Sequence, residues 1–230
     1  MARIVITGSS RGLGLEFVRQ YAAAGDRVFA LARRPDVGPL RDLATAEQVT
    51  AIACDVVDAA ACATAVAEIG QAVDSIDLLL NNAGIAGRTG GRFGELDYED
   101  VREVLDVNSI APVRMSELCL PLLRRGGDAQ IVHVTSRMGS IGDNGSGGWW
   151  AYRMSKAALN MACKNMALEL RGVGIATMVI HPGWVRTDMG GSGAPLAIED
   201  SVRGMRDVIA ALDMGRSGTF LDFGGTSIPW

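Results

Sequence analysis

Tyr152 and Lys156 stand four residues apart in the segment "WWAYRMSKAALN" (149–160). On a helix, residues at this spacing share a face, so a phenol and an ammonium can point into one place. A free phenol ionises near pH 10, too high for proton exchange at neutral pH. A cation held beside it favours the phenolate and pulls that value down. The pair is therefore the minimum machinery for a tyrosine that gives and takes a proton near pH 7. Ordinary exposed helices carry the same pair, so its meaning depends on what the rest of the chain brings to it.

The second stretch with chemical content is "TGSSRGLG" (7–14), lying between an apolar run and a helical pattern. Gly8, Gly12 and Gly14 remove side chains where a backbone must turn sharply and approach a ligand. The helix N-terminus that follows offers free N–H groups and a partial positive charge to a phosphate. Three residues separate the first two glycines, so the spacing differs from GxGxxG, and no Gly-Lys-Ser/Thr follows as a Walker loop requires. Residues 8–12 also satisfy GxSxG, the nucleophile elbow. Ser10 would then need a histidine, for which His181 is conceivable, and an acid that the required order leaves unidentified.

The next apolar run ends "ALARRPD" (30–36). An NAD site wants an acid there for the adenine ribose hydroxyls, whereas a 2′-phosphate wants arginine. Ala32 stands where the acid would be, and Arg33 and Arg34 follow. Arg11 in the glycine loop could reach the same phosphate, since guanidinium forks suit it bidentately. The residues point to NADP(H) in preference to NAD(H), without deciding between Arg33 and Arg34.

These groups must be positioned by the elements between them. Short, mostly apolar runs predict strands at 3–7, 27–32, 49–54, 76–81, 130–136, 175–180 and 219–223. Helices fit between them at about 12–24, 58–72, 97–125, 151–171 and 199–212. The alternation predicts an α/β fold: one Rossmann-type, doubly wound domain over residues 1–230, with a mainly parallel seven-stranded sheet and helices on both faces. Each polar cluster follows a strand, where ligands bind in such sheets.

Composition narrows the classes. The chain has 230 residues with 48% apolar content and a net charge of -4, enough for a well-buried core and opposed to a nucleic-acid binder that neutralises phosphates. Cys54, Cys62, Cys119 and Cys163 show no CxxC spacing and read as buried small hydrophobes. With His133 and His181 alone besides, no metal site is expected. Met1 leads straight into "ARIVIT", too short to span a membrane and without a signal-peptide n-region, so a cytoplasmic location and no membrane partner are expected.

The residues resemble the short-chain dehydrogenase/reductase family over essentially the full length. The resemblance rests on "TGSSRGLG", "CDV" (54–56), "NNAG" (81–84), Asn108, Ser136, "YRMSK" (152–156) and "HPGWVRTDM" (181–189). The segment "YRMSKAALNM" and the ending "GTFLDFGGTSIPW" look like its C-factor and sniffer-type carbonyl reductase branch. The resemblance implies that Tyr152 is the general acid in carbonyl reduction and the base in alcohol oxidation. It implies that Lys156 lowers the tyrosine pKa and binds the nicotinamide ribose, that Ser136 binds the substrate oxygen, and that Asn108 orients Lys156 through a water. Cofactor contacts are implied for Gly8, Ser10, Arg11, Gly12, Leu13, Gly14, Arg33, Arg34, Asp55, Val56, Asn82, Ala83 and Gly84. Beyond the sixth strand they are implied for Pro182, Gly183, Val185 and Thr187. The partner is a small carbonyl or alcohol substrate. Helices near 97–125 and 151–171 commonly pack across a dimer axis in the family, which makes a homodimer or homotetramer an expectation, with a monomer left open.

Substrate identity is thinly encoded. The loop "RMGSIGDNGSGGWW" (137–150) must pass the substrate, and Met138, Trp149, Trp150 and Trp184 are candidates for an apolar wall or for ordinary core. The segment "GGSGAPLAIED" (190–200) is short for a lid, which predicts an open site accepting varied carbonyls. His133 reads as a satisfied sheet residue, and the methionine-rich "NMACKNMALEL" (160–170) as core or subunit interface. The alternative function is an NADP(H)-binding signalling or redox-sensor protein with little catalysis.

Overall fold

All seven apolar runs form strands in the computed structural model, which describes residues 1–88 and 91–230. They are β1 (Arg3–Thr7), β2 (Arg27–Ala32), β3 (Val49–Ala53), β4 (Leu78–Asn81), β5 (Gln130–Val134), β6 (Ala176–His181) and β7 (Thr219–Asp222). The sheet order is β3-β2-β1-β4-β5-β6-β7, and every neighbouring pair is parallel. Parallel strands need crossovers, and these are α1 (Gly12–Ala23), α2 (Gly38–Leu43), α3 (Ala59–Ala72), α4 (Tyr98–Leu105), α5 (Ala111–Leu123), α6 (Trp150–Glu169) and α7 (Ile198–Ala210).

The strands are apolar on both parities because both faces are covered. Ile4 and Ile6 of β1 pack with Phe17 of α1 and Met205 of α7 on one face. Val5 packs with Ile69 of α3 and Met115 of α5 on the other. The chain winds outward from β1 to β3, then returns to place β4 on the far side of β1. That reversal opens a crevice beyond the carboxyl ends of β1 and β4, where such sheets bind ligands. Among the described residues no helix is long and apolar enough to cross a membrane.

Three elements depart from expectation. The helix expected over 97–125 is interrupted by a π-helical turn, Asp106–Ile110. Pro112 explains it: it has no N–H to give to the Asn108 carbonyl four residues back, and its ring crowds that carbonyl. The ladder widens by one residue, so that Ala111 N–H donates to Asp106 O. The short helix α2 was not expected, being only six residues long and starting at Gly38-Pro39. The fifth strand stops at Val134, because the Ser136 side chain caps a 3-10 turn over Arg137–Gly139 by accepting from Met138 N–H. Of the methionine-rich face of α6, Met161 and Leu168 are exposed whereas Cys163 and Ala167 are buried.

Candidate active site

A cleft of about 450 Å³ runs along the carboxyl ends of β1 to β5. At its middle the glycine loop presses on the segment after β4. Gly8 has φ +69°, and a Cβ there would lie 2.8 Å from Ala83 Cα. A Cβ on Gly14 would lie 2.2 Å from the Gly8 carbonyl oxygen, so this position admits only glycine. The Asn82 side chain draws the two segments together, donating to Thr7 O at 3.0 Å and Gly8 O at 3.2 Å. The Thr7 hydroxyl accepts from Asn82 N–H and Ala83 N–H in return. Asn82 thus shapes the loop as well as lining the cleft. The N-terminus of α1 carries no side-chain cap and no acid in its first turn, which leaves its N–H groups open to an anionic ligand.

At one end of the cleft lie Arg33, Asp55 and Val56. The Asp55 carboxylate accepts from Val57 N–H at 3.3 Å through one oxygen. Arg34 does not line the cleft, so of the two arginines Arg33 is the one placed to act there. Arg11, expected to be free for a phosphate, is instead paired with Asp188 at 2.6 Å. Both partners are exposed, so the pair contributes little stability and yields readily to a dianion.

At the other end stand Tyr152 and Lys156. Lys156 is buried, and its ammonium donates to Val134 O at 3.0 Å and lies 5.8 Å from the centre of the Tyr152 ring. Asn108, at the middle of the π-helical turn, is also buried. Its side chain accepts from Ile85 N–H at 2.8 Å and donates to Ile85 O at 2.8 Å and to Ser155 Oγ at 3.0 Å. Ser155 Oγ in turn donates to Tyr152 O. Asn108 therefore ties the segment after β4 to the turn of α6 that carries Tyr152. Neither Asn108 nor Ser136 lines the cleft itself; Ser136 Oγ accepts from Met138 N–H at 3.1 Å and keeps its own proton to donate.

The protonation energetics differ from the simple expectation that Lys156 depresses Tyr152. Burial pushes the Tyr152 phenol up, and the Ser136 hydroxyl draws it part of the way back. Lys156 is itself pulled down to about 8 by burial, because no carboxylate accompanies it out of water. His133 is fully buried; Nδ1 lies 3.2 Å from Asn81 Nδ2, so Nδ1 accepts and the proton sits on Nε2, which meets no partner among the described residues. It is thus only half satisfied, contrary to expectation, and burial with the Lys156 charge brings its pKa to about 3. The Ser10 hydroxyl has no hydrogen bond to a histidine or carboxylate among the described residues, and burial brings His181 to about 4. The nucleophile-elbow reading has no base to rest on.

A glycine loop clamped over an uncapped helix, with a Tyr–Lys pair at the far end of the cleft, defines a family arrangement, and the family profile described as short chain dehydrogenase matches residues 2–195. The chain belongs to the short-chain dehydrogenase family. It is an oxidoreductase of that type. The C-signal protein of Myxococcus xanthus is 49% identical over 155 residues, covering 67% of this chain and 93% of that protein. The carbonyl reductase Sniffer of D. melanogaster is 33% identical, covers 100% of both chains and superposes with a TM-score of 0.95. The NADPH-bound carbonyl reductase from chicken fatty liver is 32% identical, with a TM-score of 0.93 over 100% of this chain and 99% of that one.

Of the contacts expected after β6, Pro182 and Thr187 line the cleft, whereas Gly183 and Val185 do not. Gly183 (φ +83°) packs against Leu196 and Phe223, and Val185 is buried in a bridge to Leu196, so both support the loop carrying Pro182 and Thr187. Trp149 sets its ring edge-on to Tyr152 with centroids 6.2 Å apart. It adopts φ +50° directly after Gly147 and Gly148, both also at positive φ. Trp150 packs on Phe93 at 5.7 Å. Trp184 is exposed, with its indole N–H on Gly190 O at 2.8 Å, and Met138 follows Ser136 without reaching the cleft. Asp188 and Cys54 also line the cleft, and nothing in their local sequence shows it, because only the fold brings them to their partners.

Proposed function

We propose that the chain reduces a ketone or aldehyde with NADPH, and oxidises the alcohol in reverse. The observation that carries this reading is the layout of one cleft: Arg33 without an acid at Ala32 at one end, and Tyr152, Lys156 and the nearby Ser136 at the other. The glycine cradle, in which a Cβ at Gly8 would strike Ala83, and the open N–H groups of α1 fit a dinucleotide pyrophosphate. Arg33, with Arg11 once released from Asp188, suits a 2′-phosphate. Asp55 and the Val56 N–H suit the adenine, and Lys156 suits the nicotinamide ribose. When bound, the dinucleotide supplies the hydride.

The chain supplies position and a proton. Ser136 donates to the carbonyl oxygen and stabilises the negative charge that develops there. Tyr152 gives its proton to that oxygen, and burial, which holds the phenol protonated, suits it to act as the acid. Lys156 favours the resulting phenolate, and Asn108 holds the α6 turn in register. Replacement of the proton follows through Lys156, whose pKa near 8 lets it exchange protons close to neutrality. Trp149, edge-on to Tyr152, offers an apolar surface beside the phenol for the body of the substrate. Purified protein incubated with NADPH and a panel of aldehydes, ketones and diketones tests this: NADPH consumption with one alcohol formed per cofactor supports it, and no turnover on any carbonyl contradicts it.

The 49% identity to C-signal favours a second reading, in which the chain binds NADP(H) and acts as a signal with little turnover. Retention of its biological effect in Tyr152→Phe would select that reading.

A further inference from the structure

All four cysteines are buried and free, and two of them touch. Cys54 follows β3 directly and lines the cleft; Cys62 lies in the first turn of α3. The Cys54 thiol donates to the Cys62 sulfur at 3.8 Å. The Cys62 thiol donates in turn to Asp55 O at 3.5 Å and Val56 O at 3.4 Å. Arg114 of α5 holds the same turn, donating to Val56 O at 3.3 Å and Val57 O at 3.0 Å. The turn that presents Asp55 and Val56 to the cleft is therefore tethered from behind by a thiol.

We propose that Cys54 and Cys62 are a redox modification site, which a hydroperoxide closes into an intrachain disulfide behind the adenine end of the cleft, weakening dinucleotide binding. From contact at 3.8 Å, each sulfur must move about 0.9 Å to reach bonding distance. Neither lies inside a strand or in the middle of a helix, so side-chain rotation with a small shift of the turn suffices. Hydrogen peroxide entering the cleft meets Cys54 first. The Cys54 sulfur attacks one peroxide oxygen, the O–O bond breaks, and water leaves with the thiol proton, giving a sulfenic acid. The Cys62 sulfur attacks the sulfenic sulfur, the S–O bond breaks, and a second water leaves with the Cys62 proton. Two thiols are oxidised to one disulfide as one peroxide is reduced to two waters.

The two thiols are inequivalent, and access from the cleft rather than acidity makes Cys54 the first to react. Its hydrogen bond to Cys62 and burial push the Cys54 thiol up, which makes the first step slow. The hydrogen bond from Cys54 and the Arg114 charge draw Cys62 down despite burial, which makes it the better resolving group. Closure removes the S–H that Asp55 O and Val56 O accept, so from behind the turn keeps only the Arg114 bonds. The consequence for affinity rests on the cofactor reading above, whereas the crosslink does not. A dinucleotide seated over Cys54, which lines the cleft, shields it from peroxide and slows the oxidation.

The reduced protein is treated with millimolar hydrogen peroxide with and without NADP+, cleared with catalase, denatured and alkylated. Mass spectrometry is expected to show a loss of 2 Da, two alkylated thiols in place of four, and a Cys54–Cys62 linked peptide, formed more slowly with NADP+ present. NADPH titration of the oxidised protein is expected to show a Kd raised about three- to tenfold, the scale of one lost hydrogen bond, restored by dithiothreitol. Cys54→Ser and Cys62→Ala should each show the same NADPH Kd before and after peroxide, and in Cys62→Ala, which lacks the S–H that Asp55 O and Val56 O accept, that Kd should already be raised in the untreated protein. Absence of the linked peptide overturns the site, and a linked peptide with unchanged Kd overturns its coupling to the cleft. A reduced protein that does not bind NADPH overturns the cofactor reading, while the linked peptide still decides the thiol pair.

Discussion

Lys156→Met should make the folded protein more stable at neutral pH while removing its turnover. Lys156 is buried without a carboxylate, and its pKa falls from 10.5 in the unfolded chain to about 8 in the folded one. Below pH 8 the group is charged in both states, and the folded chain carries the full penalty of an ammonium out of water. Each decade of proton affinity corresponds to about 1.4 kcal/mol, so that penalty is roughly 3 kcal/mol. Between pH 8 and 10.5 the unfolded chain binds a proton that the folded chain has released, and stability rises with pH. Methionine fills a similar volume and never pairs with a proton, but it forfeits the bond to Val134 O, worth about 1 kcal/mol at every pH. The net gain at pH 7 is then about 2 kcal/mol, or roughly 4–8 °C in Tm for a chain of this size. At pH 10 it should have vanished. Urea unfolding of both proteins at pH 7 and pH 10 measures the two differences. A variant that is less stable than wild type by the same amount at both values would refute the idea that Lys156 is held against an electrostatic penalty.

The other outcomes concern single groups. Arg33→Ala should weaken NADPH binding about 10- to 100-fold, the scale of a charge-assisted hydrogen bond, and leave NADH binding unchanged; Arg34→Ala should leave both unchanged, as fluorescence titration would show. Asp188→Asn frees Arg11 from an exposed pair worth under about 1 kcal/mol, so NADPH affinity should rise by no more than about fivefold. A fall in affinity would mean that the Arg11–Asp188 pair shapes the loop. Gly14→Ala places a methyl 2.2 Å from a backbone oxygen, which no side-chain movement relieves. It should lose about 3 kcal/mol or more by urea midpoint, together with NADPH binding.

The strands were legible because a sheet covered on both faces writes continuous apolar runs, as in "RIVIT" and "RVFALA". The Tyr152–Lys156 pairing was legible for a local reason too: both residues share one helix, so their juxtaposition needs no knowledge of the fold. What escaped depends on contacts between distant segments. The break at Asn108 follows from Pro112, but an apolar helix pattern on either side of it hides the widened turn. Arg11 reads as a phosphate ligand in its own loop, and its partner Asp188 stands 177 residues away. The direction of the Tyr152 shift also escaped, since burial outweighs the hydrogen bond to Ser136, and burial is a property of the packed chain. Cys54 and Cys62 have no motif spacing, and only the turn between β3 and α3 brings their sulfurs together.

The proton-donor role of Tyr152 is tested most directly by steady-state reduction of a carbonyl with Tyr152→Phe, with NADPH binding measured on the same preparation. The expected result is a fall in kcat/KM of about 10²-fold or more, with the NADPH Kd within about threefold of wild type. Turnover that survives the loss of the phenol, with binding intact, would contradict it.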